Sequence, residues 1–145
     1  MLRGIHPLLS PELLHALAAM GHGDRLAIVD ANFPACSHAR RLISLPGVDA
    51  PSVLAAILTV LPIDDFEPHP TAVMQVVGDP AVIPEAVREF TDLLSRNDLA
   101  PPTRLERHAF YHASAEAFAV VQTGERRFYG NILLTKGVVP PDAPA

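Results

Sequence analysis

The sequence has a single cysteine, few charged residues and no long apolar segment, and each shortage excludes a class of protein. Cys36 alone can form neither an intramolecular disulfide nor a paired-cysteine zinc site. The longest charge-free stretch, residues 50–63, contains Pro51 and Pro62 and is shorter than the about 20 apolar residues of a transmembrane helix. The net charge of −5, without a basic run, argues against nucleic acid as a partner.

Motifs for the commoner catalytic chemistries are also missing. The sequence contains no GxSxG, GxGxxG, P-loop, HxH or HExxH pattern. His108 and His112 have the i, i+4 spacing that could ligate zinc on a helix, but no third ligand is evident. We therefore expect neither a metal nor a nucleotide cofactor.

The amino-terminal region has some features of a signal peptide but not its apolar core. Arg3 precedes a leucine-rich stretch, but polar residues and prolines interrupt it at His6, Pro7, Pro11, Glu12 and His15. We expect a cytoplasmic protein that neither spans nor binds a membrane.

The length of 145 residues fits one domain, and 49% hydrophobic residues suffice for a buried core. We predict a single domain over residues 1–140 and a flexible Pro/Ala-rich tail over 141–145. Only 19% of the residues are charged, against roughly 25% in an average domain, which suggests that other subunits cover apolar surface.

Strand and helix patterns alternate along the chain, which favours an α/β fold with a central, mainly parallel or mixed sheet flanked by helices. Ser10-Pro11-Glu12 is typical of a helix start, and Gly21 of a helix end. A nearly all-apolar helix is predicted to be deeply buried or to face another subunit. The predicted strands are 25–29, 41–45, 71–77, 104–110, 118–122 and 131–135; the predicted helices are 10–20, 49–61 (the apolar one) and 84–96, with short helical turns at 33–40 and 111–116.

One candidate for acid–base chemistry is the histidine of Gly21-His22-Gly23-Asp24, between a predicted helix and a predicted strand. Ligand sites of α/β sheets gather at strand-end loops. Histidine exchanges protons near neutral pH, so His22 suits proton transfer. The pattern is equally typical of a turn in which the glycines adopt positive φ and His22 only faces the helix end.

Asp30 directly follows the strand RLAIV. A carboxylate in this position can accept a hydrogen bond from a ligand hydroxyl or orient His22. It can also simply cap the next turn, as aspartates commonly do. The residues alone leave these roles open.

A second polar cluster surrounds Arg107, which would share a strand face with Leu105. Arginine donates several hydrogen bonds to sugar or carboxylate oxygens, whereas the neighbouring His108 and His112 are typical of a solvated surface. Before the last strand, the tripeptide 129–131 combines a phenol, a glycine backbone and an amide. Such a set can bind hydroxyl groups, or it can form a turn that enters a hairpin.

These residues lie in stretches that together resemble the L-fucose mutarotase branch of the D-ribose pyranase/L-fucose mutarotase family. In chain order the matching stretches are MLRGIHPLLSPELLHALAAMGHGD, DANFPA, RLERHAFYHA, FAVVQTGE and YGNILLTKGV. They extend from Met1 to Val138, and their order and spacing are more specific than any single motif. DANFPA and YGN are closer to the fucose branch than to the ribose branch.

The resemblance implies an α/β fold, a ring-shaped homo-oligomer, commonly a decamer, and sites near subunit contacts. It implies interconversion of monosaccharide anomers without cofactor or metal. The family's proton donor corresponds to His22, and its sugar-binding positions correspond to Asp30, Arg107, Tyr129, Gly130 and Asn131. Mutarotation needs an acid and a base but no nucleophile, which agrees with this polar set. A non-catalytic sugar-binding module and a purely structural oligomer subunit are the alternatives.

Overall fold

The computed structural model of the chain describes residues 2–143, so Met1 and the tail residues Pro144 and Ala145 lie outside the described residues. Helices and strands alternate along the described chain. The elements are α1 (Pro11–Ala19), β1 (Arg25–Val29), α2 (Ala35–His38), β2 (Leu42–Leu45), α3 (Ala50–Leu58), β3 (Thr71–Met74), α4 (Glu85–Arg96), β4 (Thr103–Leu105), α5 (Arg107–Ala115), β5 (Ala119–Thr123) and β6 (Ile132–Thr135).

The strands form one mixed six-stranded sheet in the order β2-β5-β1-β6-β3-β4. β2, β5 and β1 are parallel, and so are β3 and β4. β6 lies between β1 and β3 and runs antiparallel to both, so all the other strands share one direction. This confirms the predicted α/β class, in its mixed form, as a single domain.

The two faces of the sheet are covered by different helices. Along β1, Leu26 and Ile28 join the core under α1, α3 and α4, whereas Ala27 and Val29 join the core under α2 and α5. This division follows from the alternation of side chains along a strand. Because both faces are covered, β1 is apolar at every position except its first, Arg25.

The apolar helix predicted over 49–61 is α3, which begins one residue later and ends earlier. Asp49 caps it by accepting a hydrogen bond from the Ser52 amide at 2.8 Å. Val53, Leu54 and Ile57 are fully buried in the core that α3 shares with α4. The helix is thus buried within its own chain, the first of the two alternatives.

The predicted strand over 104–110 is wrong beyond Leu105. β4 ends there, and Glu106 accepts hydrogen bonds from the amides of His108 and Ala109 at 2.8 and 3.3 Å. That cap starts α5, so Arg107 is the first residue of a helix and does not share a strand face with Leu105. The sequence prediction placed Glu106 inside a strand, whereas its side-chain hydrogen bonds to two amides mark it as the cap of a helix.

Within residues 2–143, no helix has the length and hydropathy needed to cross a membrane.

Candidate active site

Strand direction brings most of the predicted site residues to one edge of the sheet, here called the carboxyl edge. β1 ends there at Asp30, and β3 and β4 end there too; the reversed β6 begins there, just after Asn131. A cavity of about 410 Å³ opens at this edge, large enough for a small ligand. Its lining residues are Asp30, Asn32, Phe33, Met74, Val77, Arg107, Tyr111, Phe128, Tyr129 and Asn131.

Asp30 and Asn131 form a buried reciprocal pair in the wall of this cavity. The Asp30 amide donates to Asn131 Oδ1 at 2.8 Å, and Asn131 Nδ2 donates to Asp30 Oδ2 at 2.9 Å. The Asn32 amide donates to Asp30 Oδ1 at 3.0 Å. Each carboxylate oxygen therefore keeps acceptor capacity for a ligand hydroxyl. Of the three predicted roles, Asp30 thus combines turn capping with a geometry suited to hydroxyl binding.

The environment of Asp30 favours its protonated form. Burial raises the pKa of Asp30, and the nearby charge of Glu125 raises it further. Hydrogen bonds from Asn131 and from the amides of Asn32 and Phe33 lower the pKa, but the balance is a rise above the ordinary value of 3.8. A carboxyl group with a raised pKa gives up and accepts protons more readily near neutral pH.

Tyr129 and Gly130 hold an unusual backbone conformation beside this pair. Tyr129 lies in the left-handed region with φ of 62°, where non-glycine residues are uncommon. Its hydroxyl accepts a hydrogen bond from the Val77 amide at 3.1 Å, which places the ring along the cavity. A Cβ on Gly130 would lie 2.5 Å from Glu125 Cγ, so only glycine fits there. Tyr129 and Asn131 therefore line the cavity, whereas Gly130 is buried against Glu125 at the entry to β6 and does not line it.

Arg107 supplies the positive charge of the cavity. Its side chain is exposed at the first turn of α5, and among residues 2–143 its guanidinium has no hydrogen-bond partner, so its donors can face a ligand. Besides Tyr129, three further aromatic side chains line the cavity. The ring centroids of two of them, Phe33 and Tyr111, lie 5.3 Å apart. Phe128, the third, is 75% exposed.

His22 lies at the opposite edge of the sheet, where β1 begins. The five residues of β1 separate it from Asp30 by roughly 16 Å of extended chain. His22 Nε2 lies 3.2 Å from Asp64 Oδ1, and its ring lies 5.5 Å from that of Phe66. Of the roles left open for Asp30, orienting His22 within one chain is therefore excluded, because the imidazole pairs with Asp64 instead.

Asp64 is a site residue that the sequence analysis missed. Its side chain is 2% exposed, whereas that of His22 is 48% exposed. Burial raises the pKa of Asp64, but hydrogen bonds from the Phe66 amide and from His22 outweigh this effect and leave the pKa below its ordinary value. A charged Asp64 holds the imidazole of His22 in place by a hydrogen bond. The only sequence signal was an Asp-Asp pair in the proline-rich loop 62–70.

The loop that carries His22 is fixed by its neighbours. Lys136 Nζ donates to the carbonyls of Leu17 and Met20 at 3.2 and 2.5 Å, which caps the end of α1. Gly23, with φ of 82°, donates from its amide to the Lys136 carbonyl at 2.9 Å. The turn thus has positive φ at Gly23 but not at Gly21, and it leaves the imidazole half-exposed beside a second cavity of about 600 Å³.

His108 and His112 do not join either cavity. Both are exposed on α5, and His112 Nε2 lies 3.7 Å from Glu116 on the same helix. In the described part of the chain, no three His, Cys, Asp or Glu side chains are placed to hold a metal ion together.

The fold and the cavity define a single-domain α/β protein with a polar, small-ligand cleft at a sheet edge. The chain belongs to the RbsD / FucU transport protein family, whose model matches residues 3–139. This confirms the family predicted from the sequence.

Several solved structures are similar to this chain over nearly its whole length. The fucose mutarotase from Streptococcus pneumoniae, in complex with L-fucose, is 39% identical with a TM-score of 0.91 over 96% of this chain and 100% of that one. FucU from Bifidobacterium longum is 38% identical, with a TM-score of 0.89 over 95% and 100%. Protein Atu2016, provisionally described as a sugar binding protein, is 41% identical with a TM-score of 0.90 over 97% of each chain.

Proposed function

We propose that this chain is a monosaccharide mutarotase that interconverts the α and β anomers of L-fucose by acid–base ring opening and closing. The observation that carries the proposal is the cavity at the carboxyl edge. A buried carboxylate–amide pair, an exposed arginine and a fixed tyrosine converge there at a ligand-sized opening. The similarity to a fucose mutarotase over nearly the whole of both chains supports the same reaction.

The reaction needs proton transfer at two sugar oxygens. The anomeric hydroxyl loses its proton as the bond between C1 and the ring oxygen breaks. The electron pair of that bond goes to the ring oxygen, which takes up a proton, and C1 becomes a carbonyl. Rotation about the C1–C2 bond and reversal of these steps give the other anomer. General acid–base catalysis contributes typically about 10²–10⁴-fold, which suffices for a reaction that already proceeds in water.

The residues divide this work between binding and proton transfer. The unused acceptor positions of Asp30 and the exposed guanidinium of Arg107 hold sugar hydroxyls. His22 gives and takes one proton, and the carboxylate of Asp64 holds the imidazole in position. Asp30, whose pKa is raised, exchanges the second proton with the sugar.

Because His22 and Asp30 lie at opposite sheet edges, a complete site requires two chains. The His22 loop of one copy would close over the carboxyl-edge cavity of the next. Exposed aromatic residues beside both half-sites support this arrangement: Phe66 is 73% exposed near His22, and Phe128 is 75% exposed at the cavity. A head-to-tail contact of this kind forms a ring when its rotation closes, which would agree with the homo-oligomer implied by the resemblance.

The apolar part of the cavity supports a 6-deoxy sugar as substrate. Met74, Val77 and Phe128 line the same cavity as the polar group around Asp30. A methyl group at C6 would lie favourably against these side chains, whereas the extra hydroxyl of L-galactose would lose its hydration there.

Exchange NMR of anomeric protons tests the proposal. We expect faster exchange of L-fucose with protein than without it, and slower turnover of L-galactose and D-ribose. His22→Ala should remove most of the acceleration while the sugar still binds. Arg107→Ala should weaken binding first. Binding without acceleration in the wild type would favour the sugar-binding module, and absence of both would favour a structural subunit.

A further inference from the structure

The loop between β5 and β6, residues 124–131, contains a buried ion pair that no step of the proposed reaction uses. Glu125 is 3% exposed, and its carboxylate accepts three hydrogen bonds from Arg127. Arg127 Nε and its backbone amide donate to Oε1, each at 2.9 Å, and Nη2 donates to Oε2 at 2.9 Å. This is the two-oxygen, two-donor fork that arginine forms with carboxylates.

Arg127 is itself anchored to the helix layer on one face of the sheet. Its Nη1 donates to Glu89 Oε1 at 2.6 Å and to Glu85 Oε1 at 3.2 Å, both on α4. The hydrogen bonds from Arg127 lower the pKa of Glu125 and outweigh the effect of its burial, and the Ala50 amide at the start of α3 adds to the lowering. The pair thus ties the loop to two helices and stays charged.

Glu125 also contacts the backbone on both sides of the sugar cavity. Its carbonyl accepts a hydrogen bond from the Ala31 amide at 2.9 Å, directly after Asp30. Its side-chain methylene packs against Gly130, where a Cβ would lie 2.5 Å from Glu125 Cγ. One residue therefore fixes both the segment after β1 and the segment before β6, the two that carry Asp30 and Asn131.

The left-handed backbone of Tyr129 shows why such an anchor is needed. A bulky residue with positive φ costs about 1–2 kcal/mol, and surrounding contacts must maintain it. Arg127 lies two residues before Tyr129, and Gly130 follows it. Glu125 contacts both Arg127 and Gly130, so the strained backbone of Tyr129 is held on its amino-terminal and its carboxyl-terminal side.

We propose that the Glu125–Arg127 ion pair is a positioning element that holds the two backbone segments of the sugar cavity in the binding geometry. The inference rests on the proposed function, because it concerns the same cavity. It assigns neither residue a contact with the sugar or a part in proton transfer.

The matched variants are Arg127→Lys, Arg127→Gln and Arg126→Gln. Lys keeps the charge but cannot donate in parallel to two carboxylate oxygens, and Gln removes the charge as well. Arg126, one residue away, is exposed and forms no hydrogen bond or ion pair within residues 2–143, so Arg126→Gln is the control. Thermal unfolding of each variant identifies those that fold, and Arg127→Lys is the milder of the two test changes.

We expect both Arg127 variants to weaken L-fucose binding by about tenfold or more, with KM rising more than kcat falls. Arg126→Gln should bind like the wild type. Hydrogen exchange measured by mass spectrometry should accelerate over residues 30–33 in the Arg127 variants, because the Ala31 amide loses its fixed acceptor, while exchange in the core strand β1 stays slow.

Three results with the Arg127 variants would overturn the inference. Arg127→Lys with wild-type affinity would show that charge alone suffices, and faster exchange at 30–33 with unchanged affinity would show that the pair does not position the sugar site. A fall in kcat with unchanged KM would instead assign Arg127 to the chemical step. A wild type that binds L-fucose without accelerating anomer exchange contradicts only the proposed function, and the affinities still test the pair. Absence of any sugar binding contradicts both.

Discussion

Mixing two inactive variants should restore activity, because the proposed site takes His22 from one chain and Arg107 from another. The suitable pair is His22→Ala and Arg107→Ala. His22 is 48% exposed and Arg107 has an exposed side chain without a partner among the described residues, so neither change should disturb the fold. Each variant alone should exchange L-fucose anomers slowly at low sugar concentration.

The expected recovery follows from the geometry of a head-to-tail ring. Every contact pairs the His22 edge of one copy with the Arg107 edge of the next. In a random 1:1 assembly each edge is intact with a probability of one half, so about one quarter of the sites contain both residues. The mixture should therefore reach about one quarter of the wild-type rate per site.

The assay is exchange NMR on co-expressed chains that carry two different affinity tags. Tandem purification confirms that hybrid oligomers have formed, and light scattering confirms that their size equals that of the wild type. As a control, separately assembled variants mixed without subunit exchange should remain inactive. A co-purified hybrid whose rate equals only the mean of the two single variants would show that both residues act within one chain, and the two-chain site would be wrong.

Four further predictions concern single features. Asp64→Asn should lower kcat at least about tenfold with little change in KM, because His22 loses its charged partner; a rise in KM alone would contradict this. Glu125→Gln should destabilise the protein near pH 7. The folded pKa of Glu125 is lowered, so its stabilisation is present above the unfolded value of 4.5 and is lost as the pH falls through the folded value. The gap between variant and wild type in urea unfolding should therefore shrink below pH 4.5, and a constant gap would refute the assignment. Gly124→Ala should cost about 1–3 kcal/mol in the same measurement, because its Cβ would overlap the Pro46 carbonyl; an unchanged midpoint would show that the turn can move. Exhaustive chelation should leave the anomer exchange rate unchanged, and restoration of a lost rate by one metal would contradict cofactor-free catalysis.

Local sequence patterns determined most elements of this fold. The cap at Ser10, the apolar run of β1 and the amphipathic pattern of α4 are signals within a few neighbouring residues, and the elements form where those signals predict. The polar residues at strand ends were found for the same reason, since Asp30 and Asn131 directly adjoin buried strands. Arg107 was assigned to the wrong element because its helix start depends on one capping side chain, Glu106.

The order and direction of the strands were decided only by the tertiary structure. The reversal of β6 between β1 and β3 brings Asn131 beside Asp30, a hydrogen-bonded pair 101 positions apart in the chain. The pairing of His22 with Asp64 spans 42 positions, and an aspartate in a proline-rich loop carries no local mark of it. Such contacts depend on which sheet edge each loop reaches. The sequence therefore pointed to most chemical groups of the candidate site but not to Asp64, whereas the packing of the whole chain placed His22 and Asp30 at opposite edges of the sheet.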